Sequence, residues 1–272
     1  MNGPIAQLVA ITYHGNAFLS GLAIPVFFPG NSTCQFCDYV HFLAFHKTLL
    51  GKRKAKIIAE NPNAWFMFLK QNKASGIRLL RVQQNDPNLP DRITAGFVGG
   101  GGDWFMEILF KHKPSELWMA KWDVWDQNAP EQRIWRVDYF YIQKVPQKDT
   151  KYRDLEQVWS EFKQSLIEIH DFSRSYTEGG FTECFENALI AIDEPEADIG
   201  YHKDLFLKDQ LSPKAISILK AAMSSWVYGG MGSWNDMSFD VEAQKIYERV
   251  SQKHFNLLNE AIECAASSSY PH

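Results

Sequence analysis

Asp103-Trp-Phe-Met-Glu-Ile-Leu-Phe-Lys111 and Glu116-Leu-Trp-Met-Ala-Lys-Trp-Asp-Val-Trp-Asp126 set large apolar side chains at every second position. Trp104, Met106, Ile108 and Phe110 share one parity, as do Trp118, Ala120, Trp122 and Val124. Glu107, Lys111, Lys121 and Asp123 take the other. A period of two is that of a strand with one face on a core and one toward water. Lys54–Glu60, Ala64–Gln71, Ile77–Gln84, Arg92–Val98 and Gln132–Lys144 have the same character, each bounded by Gly, Pro, Asn or Asp. Asn61-Pro62-Asn63 reads as a turn between two of them. Short connections favour antiparallel neighbours, so residues 1–147 are expected to form a curved antiparallel meander.

After Pro146 the period becomes helical. Leu155, Val158, Trp159, Phe162, Leu166 and Ile169 recur at three- and four-residue steps, predicting a helix over about Lys151–Tyr176. Further helices are expected over Glu183–Ile192, from the cap Ser212 with Pro213 to Tyr228, and from Asp240 onward. The expected class is α+β, with the helices of 148–272 packed on one sheet face, as two domains or as one packed unit.

No Asp, Glu, Lys or Arg precedes Asp38. A membrane helix needs about 20 nearly continuous apolar residues. Here the apolar runs are cut by His14-Gly15-Asn16, Ser20-Gly21 and Pro25, and no basic residue precedes them as a secretory signal requires. Buried strands joined by tight turns are the expectation. The formal net charge of −4 argues against nucleic acid, whose phosphates demand a concentrated basic surface. Lys52-Arg53-Lys54-Ala55-Lys56 reads as a solvated edge. Four cysteines are too few for a disulfide framework and suit a reducing cytoplasm.

Several groups carry candidate chemistry. Cys34-x2-Cys37-x3-His41 has ligand types and spacing suited to Zn, with His14 as a fourth ligand. Ser32 and Gln35 read as a capping box, which predicts a helix near 33–50 ending at Gly51. On such a helix Cys34, Cys37 and His41 share one side, and small buried cysteines on a core helix are the competing reading. Cys184, with His170 or His202 as base, has the form of a helix-start nucleophile, but Glu183 and Glu186 oppose a thiolate. Gly99-Gly100-Gly101-Gly102 lies between strands and reads as a flexible hairpin loop, lacking the strand-to-helix context of phosphate loops. Asp193–Asp198 has no cation-loop order. Trp125 and Trp135 are the candidates for exposed aromatics that stack a planar ligand.

Trp226-Val-Tyr-Gly-Gly-Met-Gly-Ser-Trp-Asn-Asp236 offers Met231, Trp234, Asn235 and Asp236 after a glycine hinge, and Trp is enriched at binding hot spots. This stretch, with the opening Met1-Asn-Gly-Pro-Ile-Ala-Gln-Leu-Val-Ala10, resembles uncharacterised bacterial proteins, some of them from mobile gene cassettes. That resemblance brings no activity and no functional residue. No acid–base constellation is legible. The expected function is therefore non-enzymatic and cofactor-free: binding another protein in an accessory or immunity-type role through Trp234, Asn235, Asp236 and Met231. The alternatives are a metal-dependent hydrolase or other enzyme on His14, Cys34, Cys37 and His41, and a small-ligand binder on the Trp-rich sheet.

Overall fold

The computed structural model describes residues 1–47, 53–84, 86, 88–97, 99–145, 153–177, 179–198, 202–207 and 211–270. The expected boundaries at Gly51, Lys52, Pro146, 147–148 and Lys151 lie outside them. Six strands, β1 (Cys37–Lys47), β2 (Arg53–Ala59), β3 (Ala74–Val82), β4 (Asp103–Phe110), β5 (Ser115–Val124) and β6 (Trp135–Val145), form one open sheet in the order β2-β1-β6-β5-β4-β3. β3 to β6 are the expected antiparallel meander. The β1–β2 hairpin extends it, with β1 running parallel to β6, so the sheet is mixed. The helices are α1 (Gly3–Leu19), α2 (Pro62–Gln71), α3 (Asp91–Thr94), α4 (Leu155–Tyr176), α5 (Phe181–Asp193), α6 (Pro213–Ser224) and α7 (Val241–Ser267). The class is α+β, and the C-terminal helices follow the expected segments closely.

Four expectations fail for identifiable reasons. The uncharged opening is a helix, not strands: Asn2 Oδ1 caps it by accepting Ile5 N–H at 3.0 Å, and Pro4 sits in its first turn. Every residue from Ile5 to Ala17 is buried, so no polar face displays the helical period. Gly15 does not break α1. A Cβ there would approach Ile77 Cδ1 to 2.5 Å, so glycine lets the helix lie close on β3. Residues 64–71 belong to α2, because Asn61 accepts Ala64 N–H and Pro62 opens the helix: the expected turn is a cap. Arg92–Phe97 is not a strand, since α3 occupies its start, and Val98 lies outside the described residues. The helix expected near 33–50 is one 3-10 turn, Ser32–Cys34, capped by Asn31 rather than by Ser32, followed by β1. Strand β1 has apolar residues on both faces, which mimics an all-round apolar helix.

One face of the sheet carries Ile77, Met106, Ile108, Trp118, Val137 and Tyr139, all buried against the helices. A single cluster of buried side chains continues from them through α1 into α4, α5, α6 and α7. Glu107, expected in solvent on the opposite face, is buried; it takes Arg78 Nε–H at 2.7 Å and Ser115 Oγ–H at 2.5 Å.

α1 is held by polar side chains on all sides. Gln7 Nε2 donates to Thr33 O at 3.1 Å, while Tyr139 O–H donates to Gln7 Oε1 at 3.0 Å. Tyr13 O–H donates to Ala265 O at 2.6 Å on α7. Asn16 pairs with both backbone groups of Ile77, at 2.8 and 2.7 Å, and so caps the free edge of β3. Removing a partner from a buried polar group costs about 1–3 kcal/mol. Asn16→Ala, which orphans two backbone groups of β3, is expected to destabilise the fold by about 2–4 kcal/mol in urea unfolding.

A second cluster joins α4, α5 and α7 around Phe172, Phe185, Tyr228 and Trp234. At its boundary Tyr228 O–H donates to Ser251 O at 3.1 Å, so the proton on the 2.7 Å bond between Tyr228 and His254 Nδ1 sits on Nδ1. His254 Nε2 is buried without a partner, and burial lowers the pKa of the ring to about 3. An unfolded imidazole titrates near about 6.5, so below that pH the unfolded chain takes the proton first. Stability is therefore expected to be complete above about pH 6.5 and to fall steadily toward pH 3. Replacing His254 by Gln should flatten that slope in urea midpoints measured between pH 7 and about 4.

Candidate functional site

The β4–β5 ladder runs only from Phe105↔Met119 to Ile108↔Glu116. Beyond it β5 stays on β6 as far as Val124↔Trp135, and β4 stays on β3 as far as Asp103↔Val82. The sheet thus splits, leaving the start of β4 and the end of β5 with no ladder partner across the gap. A cavity of about 560 Å³ fills the split. Pro4, Ile5 and Leu8 of α1 close it on the helix side, and Phe45, Phe140 and Ile142 on the other. Trp104, Ala120 and Trp122 form its walls.

Gly99-Gly100-Gly101-Gly102 lies at the rim and is no loose hairpin. Arg81 Nη2 donates to Gly101 O at 2.9 Å and to Asp91 Oδ2 at 2.7 Å, and Thr94 Oγ1 accepts Gly101 N–H at 2.9 Å. A Cβ on Gly100 would lie 1.9 Å from Thr94 O, so only glycine allows this packing.

Pro4 and Trp122 also border a second cavity, of about 300 Å³, with Trp135, Phe36, Ser32 and His202. Ser32 Oγ lies 2.8 Å from His202 Nδ1 and is also hydrogen-bonded to Asp204 Oδ1. Asp204 Oδ2 accepts Ser32 N–H at 2.7 Å. His202 has a left-handed backbone, φ 51°, sparsely populated by residues other than glycine. Burial lowers its pKa, opposed by the Asp204 carboxylate. Nothing in the sequence couples Ser32 to residues 170 and more positions away, and neither Ser32 nor Asp204 stands out as a site residue on its own.

The proposed Zn ligands are dispersed. Cys34 and Cys37 converge on Gln7 Nε2, each sulfur 3.6 Å from it, and burial pushes their thiols up to about 12 and about 11. His14 Nε2–H donates to Asp204 O at 3.0 Å. His41 lies on the opposite sheet face, stacked on Tyr39 with ring centroids 3.8 Å apart and its Nδ1 3.8 Å from Asp138 Oδ1. Burial lowers the His41 pKa and raises that of Asp138. Among the described residues no group of three His, Cys, Asp or Glu is placed to hold a metal ion.

The aromatic candidates divide. Trp125 is exposed as expected, at 41%, but the Arg136 guanidinium lies 4.3 Å over its ring and Nε1 donates to Arg133 O. Trp135 shares the parity of Val137 and Tyr139, so it turns toward the helix side and packs edge-on against Trp122. Cys184 has a raised pKa from burial, reinforced by Glu183, and its thiol donates to Gly180 O; His170 points instead at Asp171 and Glu186.

The loop expected as a partner surface divides: Trp234 is interior, Asn235 half-buried, and Met231 and Asp236 exposed. Trp234 is 0% exposed; its Nε1 donates to Ser251 Oγ at 2.7 Å, with Phe181, Phe185 and Tyr247 around the ring. Asn235 exchanges two hydrogen bonds with Arg92, and Asp236 Oδ2 accepts Gly232 N–H. Only Met231 of the four is fully exposed. Trp234 is a core residue and cannot anchor a partner without unfolding its surroundings. Among the described residues no helix is long and apolar enough to cross a membrane.

No protein-family model, curated protein or solved structure matches the chain. Trp234→Ala is expected to cost about 3–5 kcal/mol of stability, the loss typical of a fully buried Trp, measured by chemical unfolding.

Proposed function

We propose that the protein binds a small, mainly apolar molecule in the split between β4 and β5. The observation that carries this reading is the cavity of about 560 Å³ opened where two strands of one sheet part. Binding sites of this size are concave and mostly apolar, with a few polar groups that orient the ligand. The walls supply Trp104, Trp122, Phe140 and Ile142, and strand edges without a ladder partner supply backbone donors and acceptors. Arg81 supports the cavity from outside by fixing Gly101 beside Asp91. The contents of the cleft would exchange through the exposed side, where Ile142 is 45% exposed.

The neutral fluorophore N-phenyl-1-naphthylamine tests the proposal directly. Saturable binding of one equivalent, with quenching of Trp emission, is expected. Ile142→Asp places a charge in the apolar wall at a position exposed enough to spare the fold. It should weaken binding at least about tenfold, or about 1.4 kcal/mol. A flat titration with the wild type overturns the reading, as does unchanged affinity in Ile142→Asp.

A further inference from the structure

The second cavity carries chemistry that the β4–β5 cleft does not. We infer that Ser32 is a nucleophile for acyl transfer, with His202 as its general base and Asp204 as a positioning residue, acting on short-chain or aryl carboxylic esters. The inference stands independently of ligand binding in the cleft, although Pro4 and Trp122 border both cavities.

The geometry brings a serine hydroxyl within reach of both a base and a carboxylate. A serine nucleophile needs a base within hydrogen-bond reach, and His202 Nδ1 lies 2.8 Å from Ser32 Oγ. The single hydroxyl proton is donated to Asp204 Oδ1, so His202 acts as base once the hydroxyl turns from Asp204 toward Nδ1 in the Nε2-protonated tautomer. Burial lowers the His202 pKa, which keeps the ring neutral and able to accept a proton at pH 7. The Asp204 carboxylate pulls the other way and stabilises the imidazolium once it forms. It also fixes the serine by accepting its backbone N–H at 2.7 Å. Asp204 is itself held: Asn31 Nδ2 and His14 Nε2 both donate to its carbonyl oxygen, at 2.9 and 3.0 Å. His202 keeps a left-handed φ of 51°, and such backbone strain clusters at working sites. A cavity of about 300 Å³ walled by Trp122, Trp135 and Phe36 suits a small apolar acyl or aryl group.

The reaction balances without a further reagent. Oγ forms a bond to the ester carbonyl carbon while its proton passes to His202 Nδ1. The carbon–alkoxy bond breaks, and the leaving oxygen takes that proton. Water then attacks the acyl-serine, giving one proton to His202, and the carbon–Oγ bond breaks as Oγ recovers a proton. Ester and water become acid and alcohol.

The test uses the full chain and an alkyl fluorophosphonate, which forms an Oγ–P bond and releases fluoride. One phosphonyl group per chain is expected, located on Ser32 by peptide mass spectrometry and absent in Ser32→Ala. The labelling rate should rise with pH through a midpoint below 6.5, the ordinary histidine value, and level off above it. His202→Gln should slow labelling at least about 100-fold. In Asp204→Asn the midpoint should move to lower pH, because the carboxylate that raises the His202 pKa is gone. A wild-type chain that stays unlabelled overturns the inference, whatever the variants do. Labelling confined to another residue, or a Ser32 rate with no dependence on pH between 4 and 8, overturns it equally.

Discussion

The structure depends on burying α1 without a charge. Every residue from Ile5 to Ala17 is out of water, between the sheet on one side and the C-terminal helices on the other. A single Lys or Glu there would have to be paired or neutralised at a cost of several kcal/mol. Four side chains of α1, those of Gln7, Tyr13, His14 and Asn16, fasten different parts of the chain together. Gln7 reaches the centre of the sheet through Tyr139, Tyr13 reaches α7, and His14 reaches the Asp204 carbonyl. Asn16 occupies the free edge of β3 at Ile77, and Ser267 of α7 does the same at Leu79. Two helices thereby close a sheet edge that would otherwise be open to pairing with another chain.

The same placement creates the cavities. The N-terminal turn of α1 lies against the gap between β4 and β5, and Pro4 is common to both cavities. The gap persists because the start of β4 is held elsewhere. Arg81 is nearly buried, paired with Asp91, and bonded to the Gly101 carbonyl, so the chain entering β4 stays on the β3 side. Arg81 and the run of glycines thus fix one lip of the split.

What could be read in advance follows from which signals survive burial. The meander β3 to β6 and the helices α4 to α7 each have one wet face, and their periods of two and 3.6 were legible. Helix α1 has none, and strand β1 sets apolar or aromatic side chains on its wet face as well as its buried one, so composition alone does not separate them, and the structures expected from sequence are exchanged. For the two helices expected as strands, capping side chains carry the answer: Asn2 with Pro4 opens α1, and Asn61 with Pro62 opens α2. The parallel pairing of β1 with β6 joins segments about a hundred residues apart, which no local pattern encodes. The Ser32–His202–Asp204 cluster was illegible for the same reason: its members meet only because the 202–205 segment folds over the 3-10 turn.

The stretch around Trp234 shows how a conspicuous aromatic can serve the core. Arg92 is almost completely buried, yet its Nη2 meets the half-exposed Glu248 at 2.5 Å, its Nη1 meets Asn235, and its guanidinium lies 5.4 Å from the centre of the Tyr247 ring. Asn235 returns a bond to the Arg92 carbonyl, and Tyr247 O–H donates to the carbonyl of Trp234. The glycines serve the same junction: a Cβ on Gly96 would lie 2.2 Å from the Gly229 backbone, so the two loops touch main chain to main chain. A buried guanidinium is tolerable only with several good acceptors; the loop supplies Asn235, and α7 supplies Glu248 and Tyr247. The Trp-Asn pair therefore docks α3, and with it the start of the β4 segment, onto α7. The Trp234 ring faces the core at this junction and helps keep dry an arginine whose two terminal nitrogens are bonded while its Nε is buried without a partner.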